Sequence, residues 1–441
     1  MAFYVNLNNR FSLGEEITPD GSIILCGAMP MHLLQRRNIN GGYPHMRRRL
    51  FDPQLYMASL DVAESREYCT KLATYPWFGV ANLQEYDSGM QTQASWRREA
   101  SRTIDALWRG VPPNDPQVIT NSVQACIDFQ LNLGCQAIIL PSPLTHDPGT
   151  SYAQELLWLD TGLDYIRNAN QVSRDAPISI PVYATIALTD TCVRNSEPAS
   201  NTLLDLILDV VSAREVDGVY IVVEQGSETD TERQCGNTNV LLSMLHLTYV
   251  FSQVAALRVA VNFIGAFGLV CRAAGAELWG SGWYKSLYRF RLADKIAGGR
   301  AYPWYWSYPT ALDISLDREF DLVVTRGALP HIQDMTSASA GLLRAASEGV
   351  SSSRVPGWAY RLGNVTAAQQ HYLMSAIKSE QLLVACNTDD DRRNLVEDWL
   401  NTAVESAGSI ASILSSSPKT KIQHVQAWRN AFRLFRRYHN C

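Results

Sequence analysis

The stretch Asp217–Gly226, DGVYIVVEQG, decides the fold. Its centre, Val219–Val223, is five consecutive β-branched or aromatic residues, with turn-forming residues on both sides. A short, continuously apolar run suits a strand buried on both faces, as in a parallel sheet covered by helices. The run ends on Glu224, so a carboxylate stands at the strand's C-terminal end. Parallel α/β folds gather their chemistry at that end.

Working outward, the same unit repeats. Before it come strand candidates Ser22–Met29, Trp77–Leu83, Ala137–Leu140 and Pro181–Leu188; after it come Arg258–Ile264, Gly275–Trp279 and Asp321–Thr325. Helical segments separate them, and several carry start or stop signals. Asp52-Pro53 opens a helix reaching to about Tyr75, Asp115-Pro116 opens Gln117–Leu133, and Gly134 ends the latter. Strict strand–helix alternation predicts a parallel sheet, and eight strand candidates favour a closed ring. The expected architecture is therefore α/β, a (β/α)8 TIM-like barrel over residues 21–345. Residues 1–20 read as an irregular lead-in, and residues 366–441 as an α-helical C-terminal extension. In the last helix, Val425, Trp428, Phe432 and Phe435 recur at spacings of three and four, one apolar stripe.

Composition narrows the class. Of 441 residues, 46% are hydrophobic and 18% charged, which supplies a large core and argues against disorder. The net charge of −5 disfavours a sequence-independent polyanion binder. The nine cysteines are scattered without a C-x-x-C pair, so we expect a reducing, cytoplasmic setting, no disulfide framework and no metal. The start lacks a signal-peptide pattern, and the chain has no stretch of about 18 uncharged apolar residues, so no membrane association is expected. No sequence feature calls for a cofactor.

The strand-end rule collects Met29, His32, Asn82, Asp87, His146, Asp147, Asp190, Glu224, Gln225, Asn262, Ser281, Trp283 and Arg326 as mouth residues. Glu224, Asp87 and Asp190 are the candidate catalytic carboxylates. Desolvation pushes a carboxyl's pKa upward, which suits an acid or base near neutrality, and two carboxylates flanking a glycosidic carbon serve as nucleophile and acid/base. The competing reading is structural: Glu224 held by an arginine or by backbone amides, and Asp87 and Asp190 capping helices or turns. His146-Asp147 reads as a base with its orienter, or as a solvated turn. Gly280-Ser281-Gly282 reads as a phosphate cradle or a tight turn.

The strongest electrostatic feature is Arg36, Arg37, Arg47, Arg48 and Arg49, five arginines within fourteen residues on the exit of the first expected strand. On the active face they would dock phosphates or nucleic acid; otherwise they are a solvated face paired with acids. Asn262, Ser281, Trp283 and Arg326 complete the expected substrate-binding set. The aromatic run Ala301–Pro309, AYPWYWSYP, reads as a base-stacking platform or as a cap on the barrel mouth.

Residues 77–290 resemble the tRNA-guanine transglycosylase-like barrels in the order of their parts. Asp87-Ser88-Gly89-Met90-Gln91 looks like that family's Asp-Ser-Gly-Gly-Phe-Gln segment minus one residue, where the Asp is a catalytic carboxylate beside the bound base. The helix–Leu-Gly–strand run Asp115–Leu140 is similar as well. Gly275-Ala276-Glu277-Leu278-Trp279 looks like the family's Gly-Val-Asp-Met-Phe-Asp. The family's nucleophilic Asp falls on Gly280, and its zinc-binding Cys/His set is absent. The resemblance implies an altered relative in which Glu224 or Asp190 replaces the nucleophile.

The leading expectation is thus a barrel enzyme acting on a nucleic-acid or phosphate-bearing nucleoside-type substrate, by N-glycosidic transfer or cleavage. The alternatives are a small-molecule barrel lyase or transferase, and a non-catalytic binding or assembly protein on a barrel scaffold.

Overall fold

The computed structural model describes residues 3–8, 12–36, 43–58, 70–78, 104, 114–172, 178–226, 233–291, 301–362, 364–414 and 418–441. Eight parallel strands form one sheet: β1 (Phe3–Leu7), β2 (Gly21–Leu25), β3 (Arg49–Asp52), β4 (Ile138–Ile139), β5 (Val182–Leu188), β6 (Gly218–Val223), β7 (Arg258–Val261) and β8 (Leu278–Ser281). Their spatial order is β3-β2-β1-β8-β7-β6-β5-β4. Chain order is kept around the ring, and β1 pairs with both β2 and β8, Tyr4 opposite Gly21 and Val5 opposite Ser281. The two ends of that order meet at the base, where the N–H of Gln136 donates to the carbonyl of Arg49 at 3.0 Å. The expected (β/α)8-type barrel is present.

Its strands are not all the expected ones. The lead-in contains β1, FYVNL, buried throughout. The segment at 49–52, expected as the end of an exit loop leading to a helix opened by Asp52-Pro53, is β3. The expected strand over 321–325 lies instead in the helix Glu319–Thr325. Phe320 and Val323, three apart, are its buried residues, so the run is read at helical period. The expected strand over 77–83 begins in a 3-10 turn, Pro76–Phe78, and its remainder lies outside the described residues. The barrel strands therefore run from Phe3 to Ser281.

Inside the barrel, bulky rings lie against glycines. A Cβ on Gly218 would come within 2.0 Å of the Tyr183 ring, and one on Gly21 within 2.3 Å of the Tyr4 ring. These tyrosines fill the base of the barrel. The hydroxyl of Tyr183 reaches Glu277 at 3.5 Å, and that of Tyr4 reaches Gln136 at 3.3 Å.

After β8 an antiparallel hairpin, β9 (Trp304–Ser307) and β10 (Leu312–Ser315), leads to the helical extension. Its main helices are Thr366–Val384, Asp389–Ile413 and Gln423–His439, within about two residues of the expected bounds. The stripe Val425, Trp428, Phe432 and Phe435 is buried as its spacing predicts. Polar contacts fix the dock. Glu380 accepts from Arg272 Nε at 3.0 Å and from Trp279 Nε1 at 2.9 Å. The Trp428 indole donates to the Cys235 carbonyl at 3.0 Å, and His424 Nε2 donates to the Ala311 carbonyl at 2.8 Å. The aromatic run is largely inside this assembly, with Tyr308 stacked on Trp399 at 5.1 Å and Tyr305 on His371 at 4.8 Å. It caps rather than displays most of its rings.

The dock has an acid sensitivity. Burial lowers the pKa of His424 to about 4. His439, lowered to about 4 by burial and by its neighbour His246, faces that residue across 3.2 Å. A histidine depressed in the folded state takes up its proton on unfolding, so the stability it contributes is complete above the unfolded value of about 6.5 and falls as pH approaches 4. For buried His424 the loss is about 2 kcal/mol at pH 5 and about 3 kcal/mol at pH 4. Urea midpoints followed between pH 7 and 4 should drop steeply in the wild type and less in His424→Gln; identical pH slopes would contradict this.

Candidate active site at the barrel mouth

The C-terminal strand ends bring Glu224 and Asp190 to neighbouring positions. Glu224 follows β6, and its N–H donates to the carbonyl of Leu188, the last residue of β5, at 2.8 Å. Asp190 sits two residues beyond. Glu224 is partly exposed, whereas Asp190 is buried and ion-paired with Arg194. Gly226 is packed against this pair: a Cβ there would come within 2.0 Å of Asp190 Oδ2 and 2.4 Å of Arg194 Nη2. Asp190 therefore holds Arg194 at the rim, with partly exposed Glu224 beside it. Gln225, fully turned in, binds the Phe263 carbonyl through Nε2 and the Phe290 carbonyl through its N–H.

Below the rim lies a polar network that the sequence reading missed. Asp52 ends β3 and is completely buried. Its Oδ2 accepts from the hydroxyls of Tyr56 at 2.7 Å and Tyr220 at 2.8 Å, and its Oδ1 accepts from the Gln54 N–H at 3.0 Å. Asn262, just after β7, donates through Nδ2 to the Tyr220 hydroxyl and accepts the Phe263 N–H through Oδ1. Tyr220 is held in its neutral form, its pKa raised by burial and then by the Asp52 charge. A Cβ on Gly280 would come within 2.2 Å of Asn262 Oδ1. The position onto which the transglycosylase pattern places a nucleophile is thus backed by a carboxamide.

A short stretch of the chain crosses this network. Asn6 Nδ2 donates to the Leu287 carbonyl at 2.9 Å, and Phe290 packs on Tyr56 at 5.4 Å and Phe263 at 6.1 Å. Asp52 is accordingly a buried anchor. Replacing it with Ala leaves two tyrosine hydroxyls without their acceptor in a dry interior, at a cost of about 2–4 kcal/mol. Thermal unfolding should show that loss, and a change below about 0.5 kcal/mol would contradict the network's role.

Arg47, Arg48 and Arg49 do not join this site. Arg47, Arg48 and Arg49 lie at the N-terminal end of β3, at the base of a parallel barrel whose carboxylates stand at the opposite end. Arg47 and Arg48 are exposed; Arg49 is buried, donates to the Met46 carbonyl at 3.2 Å and lies against Gly134. The crossover after β2 carries the chain from mouth to base, which separates these residues from Arg36, exposed on the helix Met31–Arg36. Arg37, Asn82 and Asp87 lie outside the described residues. Arg326 caps the helix Glu319–Thr325 and is exposed, because no eighth strand ends there.

Ser281 is buried and shares a hydrogen bond with Tyr372 at 2.9 Å, so the extension covers it. Trp283 is buried and its carbonyl accepts from Arg233 at 2.9 Å. His146 and Asp147 are exposed at the rim, and Asp147 accepts the Gly149 N–H at 2.8 Å, a turn-stabilising bond. Met29 is core, and partly exposed His32 has its pKa lowered by burial and then by Arg36. Eight described cysteines are free and six are buried. Among the described residues no group of three His, Cys, Asp or Glu side chains is arranged to hold a metal ion, and no helix is long and apolar enough to cross a membrane. No protein-family model, curated protein or solved structure matches the chain.

Proposed function

We propose that the chain is a barrel enzyme acting on a phosphate-bearing, nucleoside-type substrate, cleaving or transferring its N-glycosidic bond with Glu224 as the working carboxylate. The observation that carries this reading is the rim itself. Two carboxylates, partly exposed Glu224 at the end of β6 and buried Asp190, which is paired with Arg194, stand side by side there. A carboxylate next to the anomeric carbon stabilises the cationic character that develops as the bond breaks, and a protonated one assists the leaving base. The base cluster at Arg47–Arg49 has no part in this scheme.

A second reading, a non-catalytic barrel scaffold, is favoured by one observation: Tyr56, Phe263 and Phe290 close over the interior network. Release of free base separates the two. Incubated with nucleoside 5′-monophosphates and with the unphosphorylated nucleosides, the protein should liberate base from the phosphorylated set only. Absence of release across the whole panel would leave the scaffold reading, and equal release from both sets would remove the phosphate requirement.

A further inference from the structure

Above β6–β8 the exit loops meet the hairpin and the extension around a small pocket lined by Arg233, Trp304, Asp313, Lys419, Lys421 and His424. Its place over the mouth is fixed by contact. Gln234, next to Arg233, donates to Asp313 Oδ2 at 2.9 Å and to the Tyr288 hydroxyl. A Cβ on Gly265, in the turn after β7, would come within 2.4 Å of Tyr288 and 3.0 Å of Gln234 Oε1.

The charges there are uneven. Arg233 has a side chain only 10% exposed, held among the rings of Trp283, Tyr288 and Trp304 at 5.3–5.5 Å. Its Nη2 is used by the Trp283 carbonyl, and its Nε, shielded from solvent, is ion-paired with Asp313 at 3.5 Å, so Asp313 offsets part of the guanidinium charge. Lys419 is taken up by Asp317 and by the face of Tyr360 at 5.0 Å. Lys421 has no acidic partner among the described residues. It lies two residues before the 17-residue helix Gln423–His439, whose N-terminus has no side-chain cap and adds a partial positive charge. His424 is neutral near pH 7, because burial lowers its pKa.

We propose that this pocket is a phosphoryl-binding subsite, in which Lys421 and the guanidinium of Arg233 hold the phosphate of a monophosphate ester. Cations in a partly dry site with a preset geometry bind oxyanions far more strongly than exposed ones do. The cavity measures about 30 Å³. That is room for about two water-sized groups, so it takes two phosphoryl oxygens and leaves the organic part outside, toward the mouth. The subsite deepens the proposed function and rests on it for the identity of the ester.

Calorimetric titration of the full chain with inorganic phosphate, adenosine 5′-monophosphate and adenosine tests it. The wild type should bind phosphate and the monophosphate saturably and adenosine not at all. Lys421→Gln, at a partly exposed position, should weaken both by about 10-fold or more, as expected for loss of a charge-assisted contact. Arg233→Lys keeps the charge but loses the planar fork and should weaken them as well. Phosphate affinity unchanged in Lys421→Gln, or no saturable phosphate binding in the wild type, would overturn the subsite. If base release persists and depends on Glu224 while phosphate does not bind, the subsite falls and the catalytic reading stands; if phosphate binds through Lys421 and no base is released, the reverse holds.

Discussion

Glu224→Gln is expected to lower base release from a nucleoside 5′-monophosphate by about 100- to 10,000-fold, the range spanned by loss of a positioned acid or base. Gln keeps the size and the backbone anchor on the Leu188 carbonyl. What it removes is the ability to hold a negative charge and to pass a proton. Stability should change little at a partly exposed position, so the rate rather than the folded fraction carries the effect. Asp190→Asn acts differently: it frees Arg194 and disturbs the rim through position. Asp147→Asn, in an exposed turn, should stay within about twofold, because its carboxylate does no more than accept one turn N–H. A Glu224→Gln variant that keeps wild-type turnover would remove this residue from the chemistry.

Glu380→Ala should destabilise the protein by about 3–5 kcal/mol, the cost of removing one partner from a buried ion pair. Glu380 is 3% exposed and Arg272 8%. Both carboxylate oxygens are used, one by the guanidinium and one by the Trp279 indole. Truncation strands a buried cation and a buried N–H on the barrel side of the joint. Glu380→Gln still offers one acceptor oxygen and should lose less. The helix Thr366–Val384 also supplies Tyr372 to Ser281, so loosening it uncovers the end of β8. Urea unfolding with hydrogen exchange over 366–384 would report both effects, and a shift under about 1 kcal/mol would show that the joint is held elsewhere.

The fold class was legible because the buried strands read as unbroken apolar runs: PVYATIAL and DGVYIVVEQG leave no alternative period. The C-terminal helix was legible for the matching reason, a four-residue stripe at helical spacing. What escaped was short or mixed. β1 carries Asn6 in mid-strand, and its Nδ2 donates to the carbonyl of Leu287, 281 residues away in sequence. β3 is four residues, opens on an arginine and ends before Pro53, so Asp52 has the local signature of a helix cap. The segment at 321–325 is apolar enough for a strand, yet Asp321 is bound by Ser351 and Ser352 and the run closes as a helix.

The site followed the same division. Glu224 and Asp190 could be placed at the mouth because a rule ties strand ends to it and both strands lie where their apolar runs predict. Asp52 was lost with β3. Arg47, Arg48 and Arg49 are read as a mouth loop when β3 goes unrecognised, because a crossover returning to the base then looks like a strand exit. Arg233, Lys419 and Lys421 lie more than 180 residues apart at the extremes and give no local signal; only the docking of the extension joins them.

Function is proposed to reside at the C-terminal mouth and not at the arginine-rich base. The direct measurement is the rate of base release in two charge variants made in parallel, Glu224→Gln and the double variant Arg47→Gln, Arg48→Gln. The expected fall is at least about 100-fold in the first and less than about twofold in the second. A rate that survives loss of Glu224 but collapses when Arg47 and Arg48 are neutralised would place the working surface at the other end of the barrel.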